Sequence, residues 1–138
     1  MLLENQLCFA LYSTSLAMTK LYKPLLDQLG LTYPQYVVML ALWEEDGLTV
    51  SGLGERLFLD SGTLTPLLKR LESAALITRV REASDERCVR IKLTASGRKL
   101  KTRAAGIPAC ILSATGLTRA GLMSLTQEIN ALRLRLKT

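Results

Sequence analysis

Asp60-Ser61-Gly62-Thr63-Leu64-Thr65-Pro66-Leu67-Leu68-Lys69-Arg70-Leu71-Glu72, inside the stretch from Thr49 to Thr94, decides the fold. Asp60-Ser61-Gly62 supplies a turn and a cap, because Asp and Ser oxygens accept the free N–H groups that open a helix. Behind it the spacing predicts a helix over Thr63–Ala75, with Leu64, Leu67, Leu68 and Leu71 facing a core. Its other face carries Thr65, Lys69, Arg70 and Glu72. Ahead of the turn, Val50–Leu59 reads as a shorter helix whose apolar stripe is Leu53, Leu57 and Phe58. Two helices joined by a tight turn, the second with a small polar start and a basic edge, suit a major-groove reader.

The residues that follow read as a wing. Leu76–Arg81 makes a strand whose charged residues alternate with apolar ones from Ile77 on. Cys88–Leu93 makes a second, with Val89, Ile91 and Leu93 inward and Arg90 and Lys92 outward. Glu82–Arg87 between them is expected as a polar loop, too long for a two-residue turn. Alone, that loop would read as a solvated hairpin. Beside a helix-turn-helix it reads as a basic tip for a minor groove, with Arg87 as its probe. Asp85, two residues earlier, is placed to hold that guanidinium by a charge-assisted bond.

The flanks are helical. From about Asn5 to Leu29 a stripe runs through Cys8, Leu11, Ser15, Met18, Tyr22, Leu25 and Leu29, ended by Gly30 as a left-handed cap. Thr32 and Pro34 open the next helix, whose apolar run Tyr36–Trp43 stops at Glu44-Glu45-Asp46-Gly47. Thr94-Ala95-Ser96-Gly97 starts a long helix toward Ile107, which Pro108 is expected to kink or break. A last helix runs from about Thr118 to Leu136 with the stripe Leu122, Leu125, Ile129, Leu132 and Leu136. The expected fold class is α+β, mostly helical: a winged helix-turn-helix with N- and C-terminal helices forming an interleaved dimerisation region. The chain is read as a single domain over 1–138, with 1–30 and 107–138 as dimerisation helices and 49–94 binding DNA. Two recognition helices about 34 Å apart would meet successive major grooves.

Composition agrees with a polyanion partner. The chain has 138 residues, 49% of them hydrophobic, and a net charge of +6. That charge is uneven: residues 1–49 carry −3, 50–93 carry +2 and 94–138 carry +7. The first third is therefore a poor DNA surface; the last either adds phosphate contacts or is only a soluble helix face. No stretch approaches a membrane span, and Glu4 and Asn5 stand where a signal peptide would carry positive charge. Three cysteines make no secreted disulfide framework, so the expected compartment is the cytoplasm. Without a histidine, three scattered cysteines offer little to a metal, and no cofactor is expected.

The run Asp60–Glu72 and the wing Asp85-Glu86-Arg87 resemble the MarR family of bacterial regulators and, within it, the organic hydroperoxide resistance (OhrR) type. The wing Asp-x-Arg is common to much of that family, whereas Asp-Ser-Gly-Thr-Leu-Thr-Pro is narrower. Narrowest is the set Cys8, Tyr22 and Tyr33, which matches by type and spacing the peroxide-sensing cysteine of OhrR and its two tyrosine partners. The resemblance implies a homodimeric repressor on double-stranded, pseudo-palindromic operator DNA, released when organic hydroperoxides oxidise Cys8. Some members carry a second cysteine near the position of Cys110, which captures the oxidised sulfur as a disulfide between subunits. Cys88, beside Arg90, reads as structural or incidental.

The residues fit that implication on their own terms. A sensing cysteine reacts as a thiolate, and the positive end of a helix at Cys8 favours an anion. Tyrosine hydroxyls are donors, and Tyr12, one turn from Cys8, is placed to line a peroxide pocket. Fourteen residues of straight helix separate Cys8 from Tyr22, about 21 Å, so one chain cannot join them. Two copies of the first helix crossing antiparallel would. The plainer reading makes Cys8 a small buried hydrophobe and the tyrosines core residues. For DNA the expected contacts are Ser61, Thr63, Thr65, Pro66 and Arg70 in the major groove, Lys69 at phosphates or base edges, and Arg87 supported by Asp85. The competing functions are a repressor released by a bound phenolic ligand, with Cys8 inert, and a thiol peroxidase using Cys8 and Cys110. Against an enzyme, no Arg lies beside Cys8 to polarise a peroxide.

Overall fold

The computed structural model describes residues 1–136, apart from the side chain of Glu86. After a 3-10 turn at Leu3–Asn5 come α1 (Leu7–Asp27), α2 (Tyr33–Glu44), α3 (Val50–Leu57) and α4 (Ser61–Ser73). Then follow β1 (Ile77–Glu82), β2 (Asp85–Leu93), α5 (Ala95–Ala104), α6 (Ile107–Thr115) and α7 (Arg119–Arg135). The chain divides into two compact units, Met1–Ala105 and Gly106–Thr138.

The core of the first unit is where the apolar spacing puts it. Leu64, Leu67, Leu68 and Leu71 of α4 are all buried, as are Leu26 of α1, Leu53 of α3, Ile77 of β1 and Ile91 of β2. Each such side chain contributes about 1.5–3 kcal/mol by leaving water. α2 is the central helix: Tyr36, Val38, Met39, Ala41 and Leu42 are buried around more than one face, and α1, α3, α4, α5 and β2 pack on it.

Caps set the helix starts. Thr32 Oγ1 accepts the Gln35 N–H at 3.3 Å while the Thr32 N–H donates to Gln35 Oε1 at 2.9 Å, a closed capping box. Thr49, Asp60, Thr94 and Thr118 cap α3, α4, α5 and α7 in the same sense. α1 starts without such help, since Gln6 makes no side-chain bond to it.

One helix end follows expectation and another departs from it. α1 closes on Gly30 at φ +70°, with the Leu31 N–H bonded to the Leu26 carbonyl at 3.1 Å. The same closure ends α3 at Phe58 (φ +57°), where the Leu59 N–H reaches the Gly54 carbonyl at 3.0 Å. α3 therefore stops two residues short of Leu59, and Phe58 turns outward, 63% exposed, instead of joining the apolar stripe. A Cβ on Gly54 would stand 2.9 Å from the Leu59 carbonyl, so this tight reversal needs glycine there. α4 in turn begins at Ser61, because Asp60 alone provides the cap and Ser61 and Gly62 already wind as helix.

The wing also differs. β1 and β2 pair antiparallel from Ile77↔Leu93 to Arg81↔Val89, and then Glu82 pairs with Asp85. The strands are longer than expected and Ala83-Ser84 make a two-residue turn, because a bulge on β2 takes up Glu86, Arg87 and Cys88. Val80 falls on the exposed side of β1, while Arg79 shares the inner side and meets Glu72 of α4 at 3.5 Å. On β2, Ile91 and Leu93 are buried, and Arg90, opposite the exposed Val80, lies on the outward side, where it is half-buried. It pairs with Glu82 and donates to the Gly47 carbonyl at 2.9 Å.

In the second unit, the break comes at Ala105–Gly106, ahead of Pro108. A proline in the first turn of a helix lacks only an N–H that would have no partner, so Pro108 starts α6 rather than ending its predecessor. Cys110 accordingly lies in a helix. α7 matches the expected last helix, and none of its side chains is buried: Met123, Leu125, Ile129 and Leu134 are exposed, as is Leu136 just past its end. Lys137 and Thr138, the end of the expected dimerisation segment, lie outside the described residues.

Candidate functional site

The start of α4 is built by one carboxylate. Asp60 Oδ1 accepts the Thr63 N–H at 2.8 Å, and that bond, with the Thr63 side chain and the Gly62 N–H, holds the Asp60 carboxyl below its ordinary value. With Leu64, Leu67, Leu68 and Leu71 turned inward, Ser61, Thr63, Pro66, Lys69 and Arg70 are exposed. Thr65 is half-buried, because it lies nearer the core-facing rows than the alternation of leucines suggests. Pro66 supplies no N–H to the preceding turn and presents its ring outward.

Across from this helix stands the wing. Asp85 Oδ1 accepts the Arg87 backbone N–H at 3.0 Å and its Nε at 3.4 Å. The carboxylate thus grips both the main chain and the side chain of the bulged residue, leaving the Arg87 side chain 93% exposed. Between the start of α4, α3 and the wing lies an open groove of about 1000 Å³, with Ser51, Phe58, Ser61, Asp85, Arg87 and Cys88 among its walls. Of the expected DNA residues, Ser61, Asp85 and Arg87 line this groove, whereas Thr63, Thr65, Pro66, Lys69 and Arg70 are not among its walls.

A second cluster is aromatic. The Tyr22 ring of α1 lies 4.9 Å from that of Tyr33 and 5.9 Å from that of Tyr36, and Tyr33 and Tyr36 are 6.3 Å apart. Burial, reinforced by the neighbouring Tyr33 and Tyr36, pushes the Tyr22 phenol up to about 12. Burial raises Tyr33 as well, and Tyr36 with a further push from Tyr33. All three stay neutral O–H donors over the physiological range. Tyr36 was absorbed into an apolar run by the sequence reading; its spacing of three from Tyr33 is the signal that could have found it. A smaller cavity of about 300 Å³ opens beside Tyr33, walled also by Lys20, Lys23 and Leu26.

The three thiols are free and apart in kind. Cys8 is the second residue of α1 and exposed, at the start that no side chain caps. Tyr22 lies on the same helix fourteen residues on, about 21 Å along its axis, so the single chain does not join sulfur and phenols. Tyr12 is exposed one turn beyond Cys8 and outside the aromatic cluster. Cys110 is exposed in α6, and Cys88 is half-buried on the bulge. Among the described residues no helix is long and apolar enough to cross a membrane, and no three acidic or Cys side chains group as a metal site.

Residues 20–104 match the family model described as the transcriptional regulator SarA/Rot. The organic hydroperoxide resistance transcriptional regulator of Bacillus subtilis (strain 168) is 55% identical over 138 residues, covering all of this chain and 92% of the relative. Among solved structures, reduced AbfR bound to DNA superposes with a TM-score of 0.81 at 36% identity, over 97% of this chain and 94% of the other. AbfR is a protein of Staphylococcus epidermidis. Its disulfide-formed state superposes less closely, with a TM-score of 0.64 at 38% identity over 94% of this chain and 91% of that one. With α4 and the wing in hand, these likenesses assign the chain to the MarR-like winged-helix DNA-binding transcriptional regulators, matching the SarA/Rot family model and belonging to the organic hydroperoxide resistance (OhrR) type.

Proposed function

We propose that the chain is a homodimeric, cytoplasmic repressor that senses organic hydroperoxides through Cys8. The observation that carries this reading is the division of one helix: an exposed thiol at the uncapped start of α1, and around its far end the neutral phenols of the half-buried Tyr22 and the more exposed Tyr33. Residues 1–30 and 107–138 form the dimer contact, and two α1 helices crossing antiparallel set the Cys8 of one copy among the Tyr22 and Tyr33 hydroxyls of the other, with Tyr12 lining the approach. The Cys8 thiolate attacks the distal oxygen of the hydroperoxide; the O–O bond breaks, an S–O bond forms, and the alkoxide leaves as alcohol after taking a proton. The tyrosine hydroxyls orient the sulfur and the peroxide by hydrogen bonds. The sulfenic acid then condenses with the Cys110 thiol of the second copy, releasing water and forming a disulfide. The solved relative AbfR has reduced, overoxidised and disulfide-formed states, which supports a thiol switch of this kind.

In the reduced state α4 lies in the major groove, with Ser61, Thr63, Thr65, Pro66 and Arg70 toward base edges and Lys69 toward phosphate, while Arg87, gripped by Asp85, enters the minor groove. A twofold-related pair of such heads selects a pseudo-palindromic duplex. The test is operator binding before and after cumene hydroperoxide, with non-reducing gels run on the same samples. Wild type releases DNA and gives a dimer-sized band; Cys8→Ser binds DNA and does neither; Cys110→Ser loses the band. Release of Cys8→Ser by the peroxide sinks the proposal. Release of both proteins by a salicylate-like phenol would instead favour a ligand-gated repressor, and sustained peroxide turnover with a thiol reductant would favour a peroxidase.

A further inference from the structure

Arg79 and Glu72 each work against the stability of the unit that holds them. Arg79 stands on the inner side of β1, opposite the buried Ile91 and two residues beyond the buried Ile77. Its Nε and Nη2 are shut off from water without a hydrogen-bond partner, a cost that an apolar side chain would not carry. Glu72 sets a carboxylate in the last turn of α4, at the helix end whose free carbonyls already carry partial negative charge. The two meet: Arg79 Nε lies 3.5 Å from Glu72 Oε1, an ion pair rather than a hydrogen bond. With the Glu72 side chain nearly half exposed, water screens that attraction, and the pair adds little to folding.

What the pair does fix is geometry. Among the described residues it is the ion pair that joins α4 to the wing. The charges flanking it in sequence, Lys69 and Arg70 on α4 and Arg81 on β1, are all positive, so Glu72 is the carboxylate that Arg79 faces. The other edge of the wing is held elsewhere. The Gly47 N–H donates to the Ile91 carbonyl at 3.1 Å, the Ile91 N–H to the Leu48 carbonyl at 2.9 Å, and the Arg90 guanidinium to the Gly47 carbonyl. Those bonds pin β2 to the connection before α3 and leave the setting of β1 against α4 to Arg79. A two-stranded ribbon twists readily, so a small rotation at its root is magnified at its tip. Arg79 stands three residues, about 10 Å, short of Glu82, where the ribbon turns. We infer that Arg79 is a positioning residue: held by Glu72, it sets the angle of the wing to α4 and hence where Arg87 meets the duplex. The inference rests on the assignment of α4 and Arg87 under the proposed function.

The test is a double-mutant cycle on the reduced, full-length protein, with a duplex selected from a random-sequence library by the wild type. Arg79→Met keeps an apolar stem and removes the guanidinium. It is expected to weaken binding about fivefold when Arg87 is present and less than about twofold in the Arg87→Ala background. Its melting temperature is unchanged or higher, since no buried N–H is left unbonded. Glu72→Gln breaks the same pair from the helix side and is expected to shrink the effect of Arg87→Ala likewise. The added attraction to phosphate from a lost carboxylate acts alike in both backgrounds and cancels. Wild-type affinity in Arg79→Met overturns the inference. So does an equal loss with and without Arg87, at any melting temperature, which marks a side chain that meets phosphate itself or only holds the fold. Coupling through Arg79→Met but not through Glu72→Gln overturns the pairing. Arg87→Ala alone separates the two levels: if it leaves affinity unchanged, the wing assignment fails and the role of Arg79 with it; if it weakens binding while Arg79→Met is merely additive, only the role of Arg79 falls.

Discussion

Ala75 occupies the position after α4 that Gly30 occupies after α1. Both have positive φ, and both close a helix with paired bonds: Ala75 N–H to the Glu72 carbonyl at 2.9 Å and Leu76 N–H to the Leu71 carbonyl at 3.1 Å. The Cβ of Ala75 crowds its own backbone in that conformation, and the side chain is exposed, so it returns little by packing. Ala75→Gly is expected to raise unfolding stability by about 1 kcal/mol, read from urea melts, with DNA binding unaltered. A loss of stability would mean that the flexibility glycine adds to the unfolded chain outweighs the relief. Gly97 shows the reverse case: a Cβ there would stand 2.2 Å from the Leu76 carbonyl, so close contact between α5 and the root of the wing excludes any side chain.

Among the elements, the wing depends on a single bulge. Because Asp85 binds both the main chain and the side chain of Arg87, charge and position are separable. Arg87→Ala is expected to cost about 1–3 kcal/mol of DNA affinity and to lower the salt slope by about one. Asp85→Asn keeps the cation and releases its hold, so affinity falls by less and the slope stays the same. Equal losses in the two would show that the carboxylate does more than position its neighbour. The bulge itself was beyond the reach of sequence, since it arises from the register between two strands, and composition marked only a polar stretch. What was legible was local: the Asp60 cap, the helix start at Thr32, and the four buried leucines of α4, each set by chemistry within a few residues. The left-handed turns at Phe58 and Ala75 were not, because neither residue type signals them. Pro108 misled because a proline can begin a helix as well as end one. The Cys8, Tyr22 and Tyr33 spacing was legible as a pattern, while the packing of Tyr36 against it needed the fold.

At the scale of the molecule, two helices carry apolar side chains that a lone chain leaves in water. On α1 these include Leu7, Phe9, Leu16 and Leu21, and on α7 Met123, Leu125, Ile129 and Leu134. Covering them is the physical demand behind the proposed dimer. Sedimentation is expected to give twice the chain mass, and Leu125→Glu with Ile129→Glu to shift the protein toward monomer and weaken operator binding together. A double variant that stays dimeric, or a monomeric wild type, removes α7 from the contact. The wide spacing of sulfur and phenols along α1 has a further consequence for such a protein. A solitary copy would own every reactive group yet build no pocket and grip its operator poorly, so cells holding few molecules would leave the guarded genes open before any oxidant arrives, and abundance would set the resting level of the alarm.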